Sequence, residues 1–117
     1  MTRILITALL SASILTANSQ HLTILHSNDT HSQIDPTDAP EDLGGVIRRK
    51  AIIDSVRNAT PNPVMLVDAG DAVQGTMLFT LFGGEVEQKL LNHLGYNIQI
   101  LGNHEFDNGI ERLAANL

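Results

Sequence analysis

The sequence of 117 residues contains no cysteine, no tryptophan and few aromatic side chains, namely one tyrosine and three phenylalanines. The lack of cysteine excludes disulfides, thiolate metal ligands and a thiol nucleophile, and so few aromatics cannot form a base-stacking platform. Basic residues are also scarce, since 7 of them stand against 13 acidic ones and leave a net charge of −6. This charge argues against binding a nucleic acid polymer through its phosphates. A chain of this kind that handles phosphate needs metal ions to do so.

The first nineteen residues have the organisation of a secretory signal peptide. Arg3 gives a positive start, Ile4 to Leu15 form an apolar run, and Ala17 to Ser19 match a signal-peptidase site. The apolar run of about 12 residues is too short for a bilayer, which takes roughly 20. We therefore predict a signal peptide over residues 1–19, a secreted or periplasmic location and no membrane anchor. A buried N-terminal helix is the alternative, but serine and threonine interrupt its apolar face.

The rest of the chain, residues 20–117, alternates strand-like and helix-like segments. Its length allows one domain at most, and an apolar content of 43% favours a globular class. Short apolar runs predict three buried parallel strands, and apolar spacing predicts two intervening helices: strands Leu22 to Ser27, Val64 to Val67 and Ile98 to Leu101, and helices near Gly45 to Asn58 and Glu85 to Leu94. This βαβαβ order predicts an α/β fold with helices covering a parallel sheet. A polar loop is predicted over Ile34 to Leu43.

An amphipathic pattern begins again near the end of the sequence. Ile110, Leu113 and Leu117 are spaced for one face of a further helix, and no capping signal follows them. Three parallel strands also leave sheet edges that a complete domain would cover. We therefore expect residues 20–117 to be the truncated N-terminal part of a longer domain.

Polar side chains with metal-ligand chemistry follow all three predicted strands. Asp29 and His31 come after the first strand, Asp71 after the second, and Asn103 and His104 after the third. Because ligands gather at the carboxyl ends of parallel strands, these side chains should meet in one crevice. Carboxylate, imidazole and amide donors without sulfur fit zinc, manganese, iron, calcium or magnesium, and one carboxylate can bridge two ions roughly 3.5–4 Å apart.

Each of these residues also has a structural explanation when it is considered alone. An aspartate at a strand end is about as often a turn residue or a helix N-cap, and a loop histidine is often only solvated. The coincidence at three consecutive strand ends favours a site. The other three histidines lack such neighbours and are assigned to structure or solvation: His21, His26 and His93.

Three segments of the sequence resemble the first three blocks of the calcineurin-like metallophosphoesterases, in the 5′-nucleotidase branch. They are Leu22 to Ile34, the pair Gly70-Asp71, and Leu101 to Asp107, which reads LGNHEFD. The third block is long and specific, whereas Gly-Asp alone carries almost no information. Ser27 departs slightly from the threonine or isoleucine usual in the first block. The resemblance implies part of an α/β/β/α sandwich that carries its ligands at the carboxyl ends of strands.

The resemblance also implies a role for each matching residue. Asp29 and His31 would hold one divalent ion, Asp71 would bridge two ions, and Asn103 would bind the second. His104 would lie just outside the metal shell and stabilise charge on the phosphoryl group or leaving oxygen, and Asp107 would orient its ring. The nucleophile would be a metal-activated water.

The resemblance covers only part of what such enzymes use. Their further histidine ligands and their nucleotide-recognising domain have no counterpart in this sequence, so a missing C-terminal part or a second polypeptide would supply them. We expect a metal-dependent hydrolase of nucleotides or related small phosphoesters. The same blocks also occur in 2′,3′-cyclic-nucleotide phosphodiesterase/3′-nucleotidases and in UDP-sugar hydrolases, and a non-catalytic secreted fragment is the alternative from another class.

Overall fold

A computed structural model describes residues 21–36 and 43–117, and its centre is a three-stranded parallel sheet in the order β1-β2-β3. The strands are β1 (Thr23–Ser27), β2 (Val64–Asp68) and β3 (Ile98–Gln99). Residue pairs along the first two strands run from Thr23 beside Val64 to Ser27 beside Asp68. The predicted α/β class and strand order are confirmed. The predicted signal peptide lies outside the described residues.

Four helices and one 3₁₀ turn accompany the strands. They are α1 (Val46–Ala59), α2 (Met77–Phe82), α3 (Glu85–Leu94), the 3₁₀ turn His104–Phe106 and α4 (Ile110–Asn116). The predicted helices correspond to α1, α3 and α4, with ends that differ by at most one residue for the first two. Among the described residues, no helix combines the length and the apolar character needed to cross a bilayer.

The sequence patterns did not predict α2, which follows the loop after β2. Five of its six residues, MLFTLF, are apolar, so the segment gives no helical periodicity. Local signals nevertheless mark both ends. The Thr76 side chain accepts a hydrogen bond from the Phe79 amide at 3.4 Å, and Gly83 ends the helix in the left-handed region with φ 60°.

The core lies on one face of the sheet, under α1 and α3. Crossovers between parallel strands are right-handed as a rule, so the order β1-β2-β3 places both connecting helices on the same side. Ile53 of α1, Leu66 of β2 and Leu94 of α3 form the buried cluster, and Leu25, Val46 and Tyr96 pack against it.

Arg57 links α1 to the end of α3, since its guanidinium donates to the carbonyl oxygens of Leu94 and Gly95, both at 3.0 Å. A cation at these carbonyls is favourable because they form the negative end of the helix dipole.

The opposite face of the sheet is exposed in the described residues, which corrects the prediction of three buried strands. Leu66 and Asp68 of β2 are buried, but Ile24 of β1 is 58% exposed and Ile98 of β3 is 44% exposed. The strand register places Ile24 and Ile98 on the same face as Met65. Apolar composition alone predicted burial on both faces, whereas the helices of the described residues cover only one.

Candidate metal centre

Backbone hydrogen bonds continue beyond the ends of β1 and β2 and hold the two following loops side by side. The Asp29 amide donates to the Gly70 carbonyl at 2.9 Å, and the His31 amide donates to the Asp71 carbonyl at 3.1 Å. The Ser32 amide donates to Ala72 at 2.9 Å. The loop bearing Asp29 and His31 is therefore tied to the loop bearing Asp71.

Several residues of these loops adopt left-handed backbone conformations that side chains disfavour. The φ angles are 50° at Asp29, 43° at His31, 52° at Ser32 and 53° at Asp71. Such conformations cost on the order of 1–3 kcal/mol each and persist only where surrounding structure holds them. Their concentration in two adjoining loops shows that the fold holds these side chains in place against local preference.

Gly102 lets the third loop approach the second. A Cβ at Gly102 would lie 2.2 Å from Oδ1 of Asp71, and a Cβ at Gly70 would lie 2.8 Å from the Gly102 nitrogen. Both distances are shorter than a side chain tolerates. Glycine at these positions therefore brings the segment beginning at Asn103 against Asp71.

Glu105 fastens this third loop to the second. Its buried carboxylate, 7% exposed, accepts hydrogen bonds from the amides of Asp71 at 3.0 Å, Ala72 at 2.8 Å and Gly102 at 2.6 Å. Three backbone donors satisfy the charge of a buried carboxylate well. Glu105 belongs to the LGNHEFD block, where the sequence indicates loop support and no ligand role, and the structure shows that it fixes the backbone on both sides of Asp71.

Two imidazoles and one carboxylate meet where the three loops converge. One ligand atom from each of His31, Asp71 and His104 lies within 4.8 Å of the other two. The rings of His31 and His104 are nearly edge to face, with centroids 5.2 Å apart. Oδ1 of Asp29 lies 3.7 Å from Nε2 of His31. These nitrogen and oxygen donors fit a borderline or hard divalent cation.

Asn103 and Asp107 flank this cluster on the third loop. Asn103 has an exposed side chain, and its neighbour His104 donates a backbone hydrogen bond to Oδ1 of Asp71 at 2.9 Å. Asp107 accepts from Nδ1 of His104 at 2.8 Å. The structure therefore brings the six candidate residues to one edge of the sheet, with His104 inside the cluster of ligand atoms.

Gln74 orients His31 and had no distinguishing pattern in the sequence. Its Oε1 lies 3.1 Å from Nδ1 of His31, so a proton on Nδ1 leaves the lone pair of Nε2 facing Asp29 and available to an ion. A hydrogen bond to the second ring nitrogen is typical of metal-binding histidines. The contact joins residues 43 positions apart, which no local pattern could predict.

The charges around His104 favour its protonated form. The hydrogen bond to Asp107 raises the pKa of His104 above its ordinary value, and the negative charges of Asp107, Asp71 and Glu105 act in the same direction. The ring can therefore present a positively charged Nε2 donor, as a group that stabilises developing negative charge requires.

A second buried carboxylate, Asp68, lies beneath the loop that carries Asp71. It is 0% exposed and accepts hydrogen bonds from Ser27 Oγ at 2.9 Å and the Gly70 amide at 3.0 Å. Ser27 in turn lies 2.7 Å from the Tyr96 hydroxyl. Burial raises the pKa of Asp68 above its ordinary value, although the two hydrogen bonds and Arg49 act in the opposite direction.

We expect Asp68→Asn to remove a pH dependence of stability. A carboxyl whose pKa is raised by folding binds its proton more tightly in the folded state, so stability increases as pH falls through the folded pKa. Asparagine retains an acceptor for the Gly70 amide and does not titrate. Chemical denaturation across pH should show a larger increase in the parent chain than in Asp68→Asn, because the raised pKa of His104 contributes to the increase in both. The control Asp54→Asn, at a half-exposed position, should retain it, and identical pH profiles for parent and Asp68→Asn would refute the assignment.

A profile of the calcineurin-like phosphoesterase family matches residues 22–117. Among curated relatives, 5′-nucleotidase of Homo sapiens is 44% identical over 105 residues, which are 83% of this chain and 18% of the relative. Snake venom 5′-nucleotidase of Gloydius brevicauda is 44% identical over 104 residues, with the same two coverages.

Solved structures show the same relationship. The 5′-nucleotidase precursor of Thermus thermophilus superposes with a TM-score of 0.73 at 38% identity over 81% of this chain and 20% of that one. The NAD nucleotidase of Haemophilus influenzae gives a TM-score of 0.71 at 35% identity over 82% of this chain and 19% of that one. The chain thus spans about a fifth of the length of these relatives.

Proposed function

The chain belongs to the calcineurin-like phosphoesterase family, and from that premise we propose that it is the N-terminal part of a metal-dependent 5′-nucleotidase-like enzyme. The observation that carries the proposal is the convergence of His31, Asp71 and His104 at the carboxyl ends of three parallel strands. The relatives named above act on nucleotides, and the substrate proposed here is a nucleotide phosphoester of the same general kind.

The proposed metal ligands are Asp29, His31, Asp71 and Asn103, with Asp71 shared between two divalent ions. The donor set fits such ions because it combines carboxylate, imidazole and amide groups, with His31 oriented by Gln74. When bound, the ions would supply a water of lowered pKa and positive charge for the phosphoryl oxygens. The two loops with left-handed backbone conformations and the hydrogen bonds from three amides to Glu105 hold the ligand atoms in place.

His104 and Asp107 are proposed as the acid–base and charge-stabilising pair. Asp107 accepts the Nδ1 proton of His104 at 2.8 Å, which fixes the ring through Nδ1 and leaves Nε2 for another partner. A protonated Nε2 can donate to a phosphoryl or leaving-group oxygen as negative charge develops there. This role requires His104 to remain outside the metal coordination, which the metal stoichiometry of a variant can test.

The remaining parts of the enzyme are proposed to lie outside this chain. The relatives are about five times as long, so further metal ligands and the contacts to the nucleoside would come from a C-terminal part or a second polypeptide. Export is proposed from the pattern of residues 1–19, and the snake venom enzymes among the relatives support it. Mass spectrometry of exported material should then find a chain that begins at Gln20.

Removal of metal tests the proposed function. The polypeptide that contains this chain should release phosphate from AMP, lose that activity on dialysis against a chelator, and regain it with Zn²⁺ or Mn²⁺. Parallel assays with 2′,3′-cyclic AMP and UDP-glucose separate the related activities, because only the proposed one requires AMP as the preferred substrate. Phosphate release from AMP that resists chelation would contradict the proposal.

A further inference from the structure

Two buried polar side chains outside the metal cluster share one small cavity. Glu87 of α3 is 4% exposed and Ser32 is 3% exposed. Among the described residues, neither carboxylate oxygen of Glu87 nor the Ser32 hydroxyl has a hydrogen-bond partner. Both residues line a cavity of about 20 Å³ between α1, α3 and the loop after β1.

A buried carboxylate without hydrogen bonds is costly, so this arrangement requires an explanation. Glu87 lies in the first turn of α3, where the helix dipole favours its charge. Arg49 lines the same cavity and adds positive charge. Neither effect gives the carboxylate or the hydroxyl a hydrogen-bond partner. Since roughly 10–15 Å³ suffices for one water with polar neighbours, the cavity of about 20 Å³ has room for a single water.

We propose that this cavity binds one water that joins the Glu87 carboxylate to the Ser32 hydroxyl, and that Glu87 thereby acts as a positioning residue for His31. Ser32 follows His31 directly, and both residues hold left-handed conformations, with φ 52° and 43°. The Ser32 amide is already tied to Ala72 at 2.9 Å. The water-mediated link from Glu87 of α3 to the Ser32 hydroxyl would hold the side chain of Ser32 as well as its backbone.

The bridge connects α3, which belongs to the core, with the loop that carries a proposed metal ligand. Leu91 and Leu94, on the same helix as Glu87, are buried at 4% exposure, so α3 is a rigid support. Breaking the bridge should let the loop relax toward backbone conformations with negative φ and move the His31 ring away from Asp71. The role assigned to Glu87 rests on the proposed function only through the metal-binding role of His31.

A double-mutant cycle on the full chain tests the bridge without reference to activity. Glu87→Leu and Ser32→Ala each leave one polar group without its partner. The double variant should therefore lose less free energy of unfolding than the two single variants lose together. We expect a coupling of roughly tenfold in the folding equilibrium constant. Glu87→Gln preserves the acceptor and should stay near the parent, as should Glu111→Leu, a control at an exposed position of α4. Additive effects would overturn the proposal.

Two further measurements distinguish the loss of the bridging water from a general loss of stability. Nuclear Overhauser contacts between a long-lived water and the Ser32 protons should be present in the parent and in Glu87→Gln and absent in Glu87→Leu. Affinity for Co²⁺, followed by its visible spectrum, should fall roughly 10- to 100-fold in Glu87→Leu and be restored in Glu87→Gln. No long-lived water at Ser32 in the parent would refute the bridge. If the polypeptide that contains this chain binds no Co²⁺, the proposed function fails, while the cycle and the water contacts still decide on the bridge.

Discussion

Asp71→Asn is expected to impair the binding of both divalent ions and to lower phosphoester hydrolysis by roughly 10²-fold or more. The carboxylate lies within 4.8 Å of ligand atoms from two imidazoles, and it is the group proposed to be shared by the ions. Its Oδ1 also accepts the His104 amide at 2.9 Å. Asparagine retains an oxygen for that hydrogen bond, so the substitution removes charge and one ligand atom while leaving the loop geometry intact.

Isothermal titration with Zn²⁺ or Mn²⁺ measures the effect of Asp71→Asn. The parent polypeptide should bind about two ions, and Asp71→Asn should lose affinity for both. Asp35→Asn, an exposed aspartate in the loop after β1, is the matched control and should bind like the parent. Loss of a single ion from Asp71→Asn, with an unchanged circular dichroism spectrum, would contradict the bridging role.

His104→Ala is expected to lower turnover by roughly 10²–10⁴-fold, the range for one acid–base or charge-stabilising group. Because Asp107 raises the pKa of His104, the protonated form should persist to higher pH than that of an ordinary histidine, and activity should fall as pH rises through that pKa. Asp107→Asn should shift this loss of activity to lower pH. His93→Ala, at an exposed position in the last turn of α3, should leave turnover unchanged.

The metal content of His104→Ala separates two roles for this residue. The resemblance implies a position just outside the metal shell, whereas the structure places a nitrogen of His104 among the ligand atoms of His31 and Asp71. An unchanged stoichiometry with a large loss of turnover supports the charge-stabilising role. Loss of one ion together with turnover would assign His104 as a ligand instead.

The sheet and the place of the site could be predicted because both depend on local patterns and one topological rule. Apolar runs mark strands, their order implies parallel pairing, and parallel strands present their carboxyl ends at one edge. Asp29, Asp71 and His104 therefore lie together although successive members are 42 and 33 residues apart. The exposure of Ile24 could not be predicted, because it depends on which face of the sheet the helices cover.

The supporting residues could not be predicted because their partners are distant in sequence. Glu105 binds amides 33 and 34 residues away, and Gln74 reaches His31 over 43 residues. The LGNHEFD block indicates loop support by Glu105 but not which amides it binds, and nothing in the local pattern distinguishes Glu87 from the other acids of its helix. Only the assembled loops show that one glutamate accepts hydrogen bonds from three amides and that the other lines a small cavity.

Anomalous diffraction at the zinc or manganese edge, from crystals of the polypeptide that contains this chain, tests the central claim most directly. The account predicts two ion peaks at the carboxyl edge of the sheet, one of them bonded to His31 and both bonded to the carboxylate of Asp71. Ions bound elsewhere with this edge empty, or a peak that does not contact Asp71, would contradict it.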